Sequence, residues 1–111
     1  MSMIQVTMIR NRDGKYIGFD CIGHAGYAGS GEDIVCAGVS VLVINTVNSI
    51  RSYTNEIFSA DTDEDAGKIT LRFEKPAGHD AQLLMQSLVL GLQGVYSQYG
   101  ARYMKLNFKE V

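Results

Sequence analysis

The sequence predicts one α+β domain in which two helices pack on one face of a largely antiparallel, mixed sheet. Three observations carry that expectation. Five stretches alternate apolar and polar residues with period two, two longer ones repeat at three and four, and the order is ββαββαβ. Asn11-Arg12-Asp13-Gly14 is turn chemistry between the first two strands, since Asp-Gly tolerates the positive φ that tight hairpins need. The single proline, Pro76, interrupts neither helical stretch. No repeat, linker or low-complexity segment divides the chain, so residues 1–111 are expected as a single domain, large enough to bury a core without staples.

In chain order, residues 3–10 set Ile4, Val6 and Met8 against Gln5 and Thr7, the mark of a half-buried strand. Residues 15–23 resume as a second strand with Tyr16, Ile17, Phe19, Cys21 and Ile22, in which Cys21 reads as a small buried hydrophobe. Residues 36 to about 57 are expected as helix. Val39, Val41, Val43, Ile44 and Val47 favour strand locally, but more than twenty residues without proline decide for helix. Val39, Val43, Ile50, Tyr53 and Ile57 mark one face, and Val41, Ile44 and Val47 broaden it. Gly38 is expected to let a neighbour pack close to the helix start. Residues 58–65 and 68–74 form strands three and four around an acidic turn, 61–67. That turn lacks the glycine and glutamate positions of an EF-hand, so no calcium site is expected. Pro76-Ala77-Gly78 opens a second helix over 79–99, in which Leu83, Leu84, Leu88, Leu92, Val95 and Tyr99 recur at three and four, with Gly100 as its stop. Met104, Leu106 and Phe108 alternate in a fifth strand.

Composition bounds the function. The chain is 46% apolar and 20% charged with net charge −2, so no basic face predicts direct nucleic-acid binding. Two cysteines make no disulfide scaffold, and residues 1–10 contain no signal-peptide core. A cytoplasmic location with both thiols reduced is therefore expected. The apolar run 35–44 is broken by Asn45, Asn48 and Arg51, so no membrane span is expected.

The chemistry concentrates in 23–40, GHAGYAGSGEDIVCAGVS. His24 and Cys36 stand twelve residues apart, separated by a stretch with four glycines in the nine residues 23–31. A thiol at the mouth of a helix, facing an imidazole, is a nucleophile with its base. If Asp33 caps the helix, Cys36 falls in the first turn, where free N–H groups favour a thiolate; if Ser30 caps it, Cys36 lies beyond that turn. Asp33 is thus either a cap or the acid that orients an imidazolium. Ser40 shares a helix face with Cys36; its hydroxyl bonds either near the reacting centre or to a backbone carbonyl. Glu32-Asp33 after Gly31 repels phosphate, so a phosphate loop does not fit. Cys21, His24, Asp33 and Cys36 have zinc-ligand types but no zinc-motif spacing, and no C-x-x-C redox pair is present. His79, in the first turn of the second helix, is a rival base that reads better as a surface residue.

Gly23-His24-Ala25, followed by Gly31-Glu32-Asp33-Ile34-Val35-Cys36-Ala37 with Ser40 beyond, resembles the bacterial ribosomal-processing cysteine protease family (Prp). The resemblance runs over nearly the whole chain and includes Leu88-Val89-Leu90-Gly91-Leu92. It implies a cytosolic homodimeric cysteine protease, without cofactor or metal, that trims a short N-terminal extension from a large-subunit ribosomal protein. It places the nucleophile on Cys36 and the base on His24, with Asp33, Ser40 and Gly23 in support. Gly38 stands where alanine would also fit the motif.

Acyl transfer then follows. Cys36 attacks the scissile carbonyl, His24 shuttles the proton, and N–H groups at the helix start are expected to hold the oxyanion. The glycines imply that His24 and Cys36 are not held in tight contact before substrate binds. The alternative is a non-catalytic dimeric module that binds a ribosomal protein or assembly factor.

Overall fold

The computed structural model describes residues 3–23, 30–63 and 65–111, and for residues 30–33 the backbone alone. Its elements are β1 (Ile4–Arg10), β2 (Tyr16–Ile22), α1 (Ser30–Tyr53), β3 (Phe58–Asp63), β4 (Lys68–Phe73), α2 (His79–Tyr99) and β5 (Met104–Glu110), the expected order. They form one small domain around a five-stranded sheet in the order β3-β4-β2-β1-β5. All neighbours are antiparallel except β1 and β5, which run parallel in the register Ile4↔Met104 to Arg10↔Glu110.

The β1–β2 hairpin closes as its sequence predicts. The Asn11 Oδ1 accepts from the Asp13 and Lys15 N–H groups at 3.0 Å, and Gly14 takes φ +78°. Alternation then sends Ile4, Val6 and Met8, with Phe19, Cys21, Ile69 and Leu71, into a single core shared with both helices. Val35, Val39, Val43 and Ile50 meet it from α1, and Met85, Leu88 and Leu92 from α2. Each such side chain withdrawn from water contributes about 1.5–3 kcal/mol before chain entropy is counted.

The helices are antiparallel. Leu42 of α1 lies so close to α2 that a Cβ on Gly91 would stand 2.9 Å from its Cδ2, and the Glu56 carboxylate accepts the Gly78 N–H at 2.6 Å. The close approach expected at Gly38 is thus found at Gly91; a Cβ on Gly38 would meet nothing within 4 Å. Gln82, buried on α2, fixes the helix start to the sheet by accepting the Tyr16 N–H and donating to the Tyr16 carbonyl, both at 2.8 Å. The second helix has the expected bounds, and Gly100, at φ +83°, stops it with an N–H bond to the Tyr96 carbonyl at 2.7 Å.

Both ends of α1 differ from expectation. It ends at Tyr53 rather than Ile57, where the Thr54 N–H and hydroxyl both turn back to the Ile50 carbonyl. Tyr53 and Ile57 are consequently exposed instead of continuing the core face. It begins at Ser30 rather than Cys36. Asparagines do not end its apolar character either: the 20 residues Ile34–Tyr53 have the length and composition of a membrane span, a property that the core helix of a soluble domain shares. Here the inner face of that helix is core, while Ile34, Val41 and Ile44 remain 54%, 67% and 46% exposed.

Candidate active site

The site is built around Gly23, where β2 gives way to the segment before α1. Gly23 holds φ +94°, a conformation that a side chain disfavours, and a Cβ there would stand 3.0 Å from the Met3 carbonyl oxygen. Its N–H donates to the Gly67 carbonyl at 2.7 Å, fastening it to the β3–β4 turn. Its own carbonyl accepts the Cys36 thiol at 3.7 Å, within range for a sulfur donor. Two predicted site residues are therefore brought together, with the β1 start and the β3–β4 turn as the frame.

Cys36 is the seventh residue of α1 and 9% exposed. At 1.5 Å per residue it lies roughly 9 Å along the axis from Ser30. The unpaired N–H groups of the helix start belong to the turn beginning at Ser30, so they neither favour a thiolate at Cys36 nor point at a carbonyl attacked by it. Asp33 is a residue of the first helical turn, not the cap. Of the two alternatives, the position of Cys36 is therefore the one beyond the first turn, because Ser30 and Gly31 are already helical. His24 falls outside the described residues, as does the expected looseness of its contact with Cys36.

Ser40, one turn beyond Cys36, has a buried Oγ that meets no hydrogen-bond partner among the described residues, so it does not bond back to the helix carbonyl. Such a group is costly to leave unpaired. Cys21 is fully buried in β2, and burial, with the nearby Cys36 adding to it, pushes its thiol from 9.0 up to about 12. It is a buried core thiol, as its strand position predicts. His79 is exposed beside Asp80 at 3.1 Å. It sits at the α2 start, against the end of α1 that lies away from Cys36, so it is no rival base. Sequence reasoning missed the direction of the Gly23 carbonyl. The glycine before His24 was the available signal, but only its contact with the Cys36 thiol shows where its oxygen points.

Comparison with known proteins gives the site its family. The family model described as cysteine protease Prp matches residues 3–105. The ribosomal processing cysteine protease Prp of Staphylococcus aureus is 33% identical over 107 residues, covering 96% of this chain and 100% of that protein. The crystal structure of the S. aureus protease in complex with a substrate peptide is similar with TM-score 0.90 and 32% identity, covering 96% of this chain and 100% of that one. The same protease with a covalently linked product peptide gives TM-score 0.85 and 33% identity over the same shares. The fold and the matches define a cysteine protease. The chain belongs to the Prp family.

Proposed function

We propose that the protein is the endopeptidase that removes the short N-terminal extension of a bacterial large-subunit ribosomal protein, with Cys36 as nucleophile and His24 as general base. The observation that carries this assignment is the contact between the Cys36 thiol and the Gly23 carbonyl. That carbonyl belongs to Gly23, so the thiol rests against the residue that precedes its proposed base in the sequence. The S. aureus relative with a covalently linked product peptide supports a covalent route.

A carbonyl oxygen only accepts, so the resting contact is made by the protonated thiol. Reaction begins when His24 takes that proton and the sulfur attacks the scissile carbonyl. The C–S bond forms, the C–N bond breaks, and His24 returns the proton to the leaving amine. Water then hydrolyses the thioester, with His24 accepting its proton and passing one back to the sulfur. Asp33 orients the imidazolium, and the Ser40 hydroxyl donates to the group that forms beside Cys36. No cofactor or metal enters this chemistry.

The reading includes a cytoplasmic homodimer. Ile34, Val41 and Ile44 recur at seven and three on one stripe of α1 that the chain leaves uncovered, and uncovered apolar stripes of this kind mark partner surfaces. The test of the function is incubation of the extended ribosomal protein with the wild-type protein and with Cys36→Ala. Mass spectrometry is expected to find the shortened protein only with the wild type. Binding by both without shortening would instead identify the non-catalytic module.

A further inference from the structure

We propose that Gly67, in the turn between β3 and β4, is a positioning residue of the active site: its carbonyl holds Gly23 in place, and with it the carbonyl that accepts the Cys36 thiol. The inference rests on the protease reading above.

Gly67 belongs to the acidic turn 61–67, yet it is buried while Asp63, Asp65, Ala66 and Lys68 around it are exposed. The turn is closed from within, since the Asp63 carboxylate accepts the Ala66 N–H at 3.1 Å. The β2–β4 ladder runs from Gly18↔Arg72 to Ile22↔Lys68. The bond from the Gly23 N–H to the Gly67 carbonyl, 2.7 Å long, extends that ladder by one position. Both partners are glycines at positive φ, +94° for Gly23 and +61° for Gly67. Strand residues hold negative φ, so both chains leave the ladder at this bond.

Gly23 thus joins two contacts through one Cα. Its N–H reaches Gly67 and its C=O meets Cys36. A displacement at the first contact is therefore felt at the second, and misplacing reacting groups by even about 1 Å slows chemistry severely. A side chain at Gly67 opposes φ +61°, so alanine there relaxes the turn and withdraws the carbonyl. Asparagine tolerates left-handed backbone and leaves it in place. Gly14 is the matched control. It holds φ +78° with no atom within 4 Å of its Cβ position, and the seven residues of β2 lie between it and Gly23.

The test compares Gly67→Ala, Gly67→Asn and Gly14→Ala in single turnovers of the extended ribosomal protein, under conditions where urea titration shows each variant folded. Gly67→Ala is expected to slow acylation of Cys36 at least tenfold at saturating substrate, with the half-saturating concentration within twofold of wild type. Gly67→Asn and Gly14→Ala are expected to stay within threefold of the wild-type rate. A turn that only stabilises the fold predicts equal rates for all folded variants, and that result overturns the proposal. So does a raised half-saturating concentration with unchanged acylation, which assigns the turn to substrate contact. If Gly67→Ala does not fold, replacing residue 23 by glycolic acid, in a chain joined by ligation at Cys36, deletes the Gly23 N–H without adding a side chain. The same tenfold loss is expected, and an undiminished rate overturns the proposal.

Iodoacetamide labelling separates this outcome from the protease reading. Withdrawal of the Gly23 carbonyl uncovers Cys36, now 9% exposed. Gly67→Ala is therefore expected to label at Cys36 at least threefold faster than wild type and Gly14→Ala, with Cys21 still protected. Unchanged labelling of Cys36, or equal acceleration at Cys21, overturns the positioning role. Faster labelling confined to Cys36, in a protein whose wild type cleaves nothing, leaves that role standing and removes the protease reading.

Discussion

The carbonyl of Gly23 accepts the thiol of Cys36 at 3.7 Å, from a residue that occupies φ +94°. Strand end, turn and helix meet at this one residue: its N–H is bound to Gly67 and its Cα faces the Met3 carbonyl. The carbonyl that meets the proposed nucleophile therefore belongs to a residue whose backbone conformation only glycine adopts without strain.

Gly23→Ala is accordingly expected to destabilise the fold by about 1–3 kcal/mol, the cost of a strained φ with a tight contact. It also turns the carbonyl away from Cys36, lowering kcat/KM at least tenfold. Urea unfolding and peptide cleavage at matched temperature check both. An alanine variant as stable and as active as the wild type contradicts the role given to this residue.

The two thiols differ in reactivity. Cys21 is fully buried with its thiol pushed up to about 12, whereas Cys36 retains 9% exposure. Iodoacetamide at neutral pH is expected to label Cys36 at least tenfold faster, as peptide mapping by mass spectrometry will show. Faster labelling of Cys21 reverses the assignment.

The same burial makes Cys21 a source of alkaline sensitivity. Its folded-state thiol titrates at about 12 against 9.0 for the model thiol, because burial and the neighbouring Cys36 disfavour the thiolate. The folded state thus binds the proton more tightly than the unfolded chain. The associated stability is complete below pH 9 and is lost as pH rises towards 12, a difference on the order of 4 kcal/mol at the limit. Urea midpoints are expected to fall between pH 9 and 11 more steeply in the wild type than in Cys21→Ala. Parallel profiles contradict this origin.

Much of this architecture was legible in the sequence, for reasons that particular residues make plain. Ile4, Val6 and Met8 alternate because one face of β1 is core and the other is not. The bounds of α2 follow from Pro76-Ala77-Gly78 and Gly100, residues that start and stop a helix by their own backbone chemistry. The bounds of α1 were not legible. Gly31 reads as loop yet is helical, and Ile57 continues an apolar period that Thr54 has already ended. The thiol could be named from spacing and its glycine from the family resemblance, but the direction of the Gly23 carbonyl and the Ser40 hydroxyl without a partner among the described residues arise only from tertiary placement.

The apolar stripe of α1 predicts the assembly. Val35, Val39, Val43 and Val47 are covered within one chain, but Val41 and Ile44 are not. At ~25 cal/mol per Å² their burial against a second copy contributes materially to association. Sedimentation equilibrium at micromolar concentration is expected to give twice 12.2 kDa, and Val41→Glu a mass near 12.2 kDa. A wild-type mass at the monomer value refutes the dimer.

The central claim is that Cys36 carries the acyl group. Acid quench of a single turnover with the extended ribosomal protein, followed by intact-mass and peptide mapping, tests it most directly. The account predicts a transient thioester that joins the released extension to Cys36, absent from Cys36→Ala. An acyl group on any other residue, or full cleavage by Cys36→Ala, contradicts it.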